Sequence, residues 1–203
     1  MEYIGGNAFG KCHSLEEIVF PESVREIGVD VCHRCTALKK AELPSGISFV
    51  PDEAFARCYQ LNEISIPYGV SHIGDNSFAF CYGLKHINLP DSLVSIGESS
   101  FGACGLETIE FPYGFQKLGY TSMSQCTSLT DVFLPDSIDD IGMETFEECW
   151  RIESIRIPPK VKKVGIHTFY GCRSLKNVIV SNSTEIDGTA FDGCPGKVEI
   201  ERY

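Results

Sequence analysis

The constraint that decides what this chain can fold into is a period of 23 residues running from one end to the other. With Ile73 as position 1, Gly74 is position 2, Phe78 position 6, Cys81 position 9, Leu84 position 12, Ile87 position 15, Leu89 position 17, Pro90 position 18 and Leu93 position 21. Units open at Ile4, Ile27, Val50, Ile73, Ile96, Leu118, Ile141, Val164 and Ile186. Position 6 reads Phe9, Cys32, Phe55, Phe78, Phe101, Met123, Phe146, Phe169 and Phe191, and position 9 is Cys in all nine units. A fixed repeat of this length means stacked copies of one packing unit, each too small to bury its apolar side alone.

The alternation at positions 15 and 17 (Ile18 and Phe20, Ile64 and Ile66) is that of a short strand. Proline at position 18 ends it in seven units by removing a ladder donor. A turn such as Pro67-Tyr68-Gly69 follows, and positions 21 and 1 point inward again on a second, shorter strand. Glycine at position 2 provides either a positive φ or a close approach of backbone at the corner. The small residue and aromatic after it, as in Ser77-Phe78, suit one helical or 3₁₀ turn. Two coils run one residue short, between Cys104 and Leu106 and before Ile186.

This pattern, L-x-x-I-x-L-P-x-x-V-x-x-I-G-x-x-x-F-x-x-C, resembles the BspA-like class of leucine-rich repeats from Ile4 almost to Tyr203. The resemblance implies a leucine-rich repeat solenoid of about nine coils, with a parallel β-sheet on the concave face and short, 3₁₀ or helical turns on the other side. It also implies a secreted or cell-surface protein of the adhesion kind. Residues 1–203 then form a single domain. No polar cap precedes Ile4, so a fragment of a longer array is expected, or end-to-end self-association through the uncapped N-terminal coil.

A formal charge of -11 and a pI near 4.9 oppose nucleic acid and anionic lipid, which need a basic face. Apolar runs are far too short for a span of about 20 residues, so no membrane insertion is expected. The opening MEYIGGNAFG has neither the basic nor the apolar region of a signal peptide. Nine of the ten cysteines occupy one inward position, which reads as packing by free thiols rather than as a disulfide framework. Cys32-His33-Arg34-Cys35 is the one C-x-x-C, but both its cysteines already have places in the repeat, and zinc needs about four ligands. The five histidines fall at five different repeat positions, and no nucleophile motif or phosphate loop accompanies them. No catalytic residue, metal site or cofactor follows from the sequence.

What remains is recognition. Outward position 16 reads Val19, Glu42, Ser65, Asn88, Glu110, Phe133, Arg156 and Ile179, a mixture without a structural theme. The expected binding strip is Phe133, Arg156 and Ile179, with Trp150 as an edge contact, because aromatics and arginine dominate interface energetics. Its ligand would be a protein or a glycan; an inert spacer or stalk is the competing reading. Asp131 is the carboxylate expected beside Arg156.

Overall fold

The computed structural model describes residues 2–203. Each coil contributes two short strands, and equivalent strands of successive coils pair in parallel. One row holds the longer strands: Glu17–Val19, Lys40–Glu42, Glu63–Ser65, Thr108–Glu110, Asp131–Phe133, Ser154–Arg156, Asn177–Val180 and Glu199–Arg202. The fourth coil joins this row through a single bridge from Ser65 to Asn88. The other row consists of two-residue strands from Tyr3–Ile4 to Glu185–Ile186, whose longest unbroken run spans Phe49–Val50, His72–Ile73, Ser95–Ile96, Lys117–Leu118 and Asp140–Ile141. Partners are 23 residues apart, as in Ile73 with Ile96, except where a coil is short: Leu118 pairs with Ile96, and Ile186 with Val164.

No helical or 3₁₀ turn occurs among the described residues; the stretch after position 2 is a chain of tight turns. Its cause lies in the backbone. Positions 4 and 8 adopt left-handed φ in coil after coil, as at Asn76 (55°), Phe80 (63°), Glu144 (57°) and Glu148 (53°), and fifteen non-glycine residues do so among those described. Such conformations cost roughly 1–3 kcal/mol each. They persist because they turn alternate N–H groups toward the next coil: Asn76 donates to the Glu98 carbonyl at 2.7 Å, Phe78 to Ser100 at 2.8 Å and Phe80 to Gly102 at 2.8 Å. A helix would spend those donors within its own coil.

The thiols answer in the opposite direction. Cys58, Cys81, Cys104 and Cys126 donate to the carbonyls of Cys32, Phe55, Phe78 and Phe101 in the preceding coil, at 3.0–3.2 Å. Each of those carbonyls also accepts the backbone N–H three residues on, as from Cys58 to Phe55 at 3.1 Å. Position 9 thus needs a small, largely apolar donor, which is what a free thiol is. All ten cysteines are free. Cys12, in the first coil, is exposed and Cys194 half-buried, so not every member of the ladder is covered.

Position 2 glycines act through close approach alone, since none of them has positive φ. A Cβ on Gly142 would lie 2.6 Å from Gly119 and Tyr120 backbone atoms, and one on Gly119 2.5 Å from Gly97. Beside them, position 5 hydroxyls tie the coils together: Ser100 donates to the Gly97 and Gly74 carbonyls, both at 2.8 Å. Inside, the rings at position 6 stack nearly parallel at 5.6 Å (Phe55 and Phe78) and 5.2 Å (Phe78 and Phe101). A second stack of Phe146, Phe169 and Phe191 follows, separated from the first by Met123.

Three outcomes follow from this packing. Burial pushes the Cys58, Cys104, Cys126 and Cys149 thiols well up and Cys172 up to about 12, which suppresses the reactive thiolate. A thiol reagent should therefore modify Cys12 quickly in the native protein and these five only on denaturation; rapid labelling of several would contradict the ladder. Phe101→Ala should cost about 3–5 kcal/mol, from lost burial and the cavity left behind, read by chemical denaturation with an uncoupling of the two ring stacks. Gly142→Ala should lower stability by about 1–3 kcal/mol, because the preceding coil must shift.

Candidate functional site

The candidate site lies on the longer-strand row, in coils five to seven. Toward the N-terminal end this face is occupied by ion pairs: Lys40 meets Glu42 at 2.9 Å and Glu63 at 3.2 Å, and Lys39 meets Glu16 at 2.8 Å. Exposed pairs of this kind contribute little to stability, and the apolar side chain standing out beside them is Val19. Further along, the charges thin out and aromatic side chains emerge.

Phe133 ends its strand with 63% of its surface exposed, in register with Glu110. It cannot turn inward, because Val132 and Leu134 on either side take the inward direction. Tyr113, at the tip of the Pro112-Tyr113-Gly114 turn, is 88% exposed. The two rings border a cavity of about 420 Å³ closed by Glu110, Phe111, Val132, Leu134, Pro135 and Arg156. A second cavity of about 290 Å³, lined by Asn88, Leu89, Asp91 and Pro112 among others, shares Glu110, Phe111 and Tyr113 with the first. Tyr113 is therefore the ridge between two neighbouring hollows.

Arg156 lies at the other wall. Its Nη1 donates to Asp136 Oδ1 at 2.7 Å, and its guanidinium sits 5.3 Å from the centre of the Tyr203 ring. The hydrogen bond to Asp136 favours the charged form further. The partner is Asp136 rather than Asp131, whose Oδ2 accepts from Thr130 instead. Asp136 reaches the arginine from the turn of the preceding coil, at the repeat position that Tyr113 holds one coil earlier.

The strip is narrower than position 16 alone suggests. Ile179 pairs in register with Arg156 but is more than half buried, leaving little of it to touch a ligand. Trp150 lies in a turn after Cys149, away from the strand row, with the Arg173 guanidinium 3.9 Å from its ring centre. Its Nε1 is buried without a hydrogen-bond partner. Phe133 and Arg156 are brought to one cavity; Ile179 and Trp150 are not. Tyr113, Glu110 and Asp136 are the residues that the position 16 reading passes over. The recurrence of tyrosine at the same turn tip, Tyr68 being 80% exposed, is the signal that could have found Tyr113.

In the C-x-x-C, Cys32 and Cys35 are buried at their repeat positions, with Cys35 donating to the Phe9 carbonyl at 3.0 Å, and His33 is partly buried, its Nε2 without a hydrogen-bond partner. His33 Nδ1 lies 2.7 Å from Asp30 and 3.3 Å from Glu53. These three ligand atoms lie within 4.8 Å of one another, and the hydrogen bond between His33 Nδ1 and Asp30 joins two of them. No helix of the described residues is long and apolar enough to cross a membrane.

A family model for the BspA type leucine rich repeat region matches residues 1–104 and 71–197, with six copies. Among solved structures, the Treponema pallidum leucine-rich repeat protein is 34% identical, with a TM-score of 0.66 over 80% of this chain and 73% of that one. A leucine-rich repeat protein of Eubacterium ventriosum has the same fold at 14% identity, TM-score 0.57, over 98% of this chain and 82% of that one. A leucine rich cell surface protein of Faecalibacterium prausnitzii is 20% identical, TM-score 0.47, over 99% and 83%. No curated protein matches the chain.

Truncation of the strip separates binding from folding. Phe133→Ala should change the unfolding midpoint little, because the ring is mostly exposed, and Arg156→Ala should cost no more than about 1 kcal/mol, both measured by thermal denaturation. A large loss of stability in either would assign the residue to packing.

Proposed function

Since the chain belongs to the BspA type leucine-rich repeat family, a rigid stack of coils with variable outward residues, we propose that it is a non-enzymatic recognition or adhesion module at the cell surface. The observation that carries this reading is the pair of exposed rings, Phe133 and Tyr113, flanking a hollow whose far wall is a hydrogen-bonded arginine. Aromatic anchors beside a pre-positioned arginine are the composition of interface hot spots. The Asp136 bond holds the guanidinium in place before a partner arrives, which lowers the ordering cost of binding. Of the two ligand classes, a protein suits the strip better, since an apolar knob on a partner fills the hollow and basic side chains meet Glu110 and Asp136. An inert stalk has no use for two exposed rings beside a cavity.

The test is a parallel capture. Wild-type chain and a Tyr113→Ala/Phe133→Ala/Arg156→Ala variant are immobilised, exposed to the same surface-protein extract, and the retained proteins are compared. A protein held by the wild type and reduced at least about tenfold on the variant, the equivalent of roughly 1.4 kcal/mol, supports the strip; identical retention on both overturns it. Protease treatment of intact source cells checks the location, because a surface protein is cleaved and an internal one is spared.

A further inference from the structure

A hollow larger than the one at the strip lies on the other strand row: a trough of about 710 Å³ running across five coils from His72 to Lys163. Its lining includes the corner glycines Gly97, Gly119, Gly142 and Gly165, positions that carry no side chain. Along the strand row stand His72, Ser95, Lys117, Asp140 and Lys163, one per coil, with His72 Nδ1 2.9 Å from Ser95 Oγ, and Asp75, Asp139 and Lys162 line the trough beside them. The opposite wall offers Glu98 and Tyr120, the ring 44% exposed and its hydroxyl donating to Met143 Sδ at 3.3 Å.

We propose that this trough binds a linear glycan laid along the array axis, one sugar ring per coil, with the Tyr120 ring as a stacking platform. Three observations favour a glycan over an extended peptide. First, the backbone groups of the floor are spent: Gly97 donates to the Ile73 carbonyl at 2.8 Å, Gly119 to Ile96 at 2.8 Å and Gly142 to Leu118 at 2.9 Å. A peptide would find no free edge on which to add its own N–H and C=O groups, whereas hydroxyls need only side-chain donors and acceptors. Second, the row repeats with the coil spacing of about 4.8 Å, while same-face side chains of an extended peptide recur at about 6.8 Å and drift out of step. A pyranose linked through opposite sides of its ring spans nearly one coil. Third, the row supplies donors and acceptors of both signs. Lys117, Lys162 and Lys163 stand among Asp75, Glu98, Asp139 and Asp140, with Lys117 Nζ 3.1 Å from Asp140 Oδ2, so the lining is close to charge balance and suits an uncharged polyhydroxyl chain. The trough lies on the other strand row from the Phe133 strip, so this proposal stands apart from the protein-binding reading.

The experiment is calorimetric titration of the whole chain with β-1,4-linked glucose oligomers and, separately, β-1,4-linked N-acetylglucosamine oligomers, each from monomer to heptamer. The expected result is saturable binding of one series that strengthens with each added sugar up to the pentamer and then levels off, since five coils supply the row. Tyr120→Ala should weaken the pentamer at least about tenfold, and Phe133→Ala should leave it unchanged; protection of the buried thiols shows that both variants are folded. Absence of saturable binding in both series, affinity independent of chain length, or insensitivity to Tyr120→Ala each overturns the proposal. So does binding of an unfolded polypeptide in place of both glycans.

Discussion

Everything in this molecule rests on hydrogen bonds that leave one coil and end on the next. In the turn segment alternate N–H groups point forward and thiols point back, so a coil is held from both sides by its neighbours. The left-handed residues at positions 4 and 8 are the cost of that arrangement. A cost of a few kcal/mol per coil is sustained only because each strained residue orients donors that would otherwise be buried unpaired, a comparable or larger penalty. Remove the neighbour, and the strain has nothing to balance it.

The period, the inward positions and the reduced cysteine column were legible because they depend on side-chain chemistry that repeats. The left-handed positions were not. Asn7, Glu53, Phe80, Ala103 and Gln125 share that conformation and no side-chain property, so no composition rule points to them. What selects the conformation is the coil above, which a single repeat does not contain. The same blindness explains the expected 3₁₀ or helical turn: small residue then aromatic is compatible with one, and only the demand for inter-coil donors excludes it.

At the surface, phase alone located Phe133 and Arg156 but could not weigh exposure. Ile179 has the right phase and is covered, whereas Tyr113 is on no strand and is the most exposed ring of the group. Asp136 reaches Arg156 from a turn in the coil before, a neighbour in space that repeat position does not announce. The trough was hidden for a different reason: its lining gathers residues from five coils, a neighbourhood that no single repeat contains.

The thiol bond also governs how such a chain can change its length. Donor and acceptor sit 26 residues apart, as in Cys81 to Phe55 or Cys104 to Phe78, so adding or deleting a whole coil re-creates every bond. Losing one residue between position 1 and the cysteine would displace that coil's own donor from its carbonyl, while the separation returns to 26 in the coils beyond. The two short coils obey this rule, since their missing residues fall after Cys104 and before Ile186, outside that stretch, and the Cys126 bond survives at a separation of 25. A whole coil added or removed thus leaves every remaining thiol with a carbonyl to meet, and the loss of a single residue is tolerated only outside the stretch that leads to the cysteine.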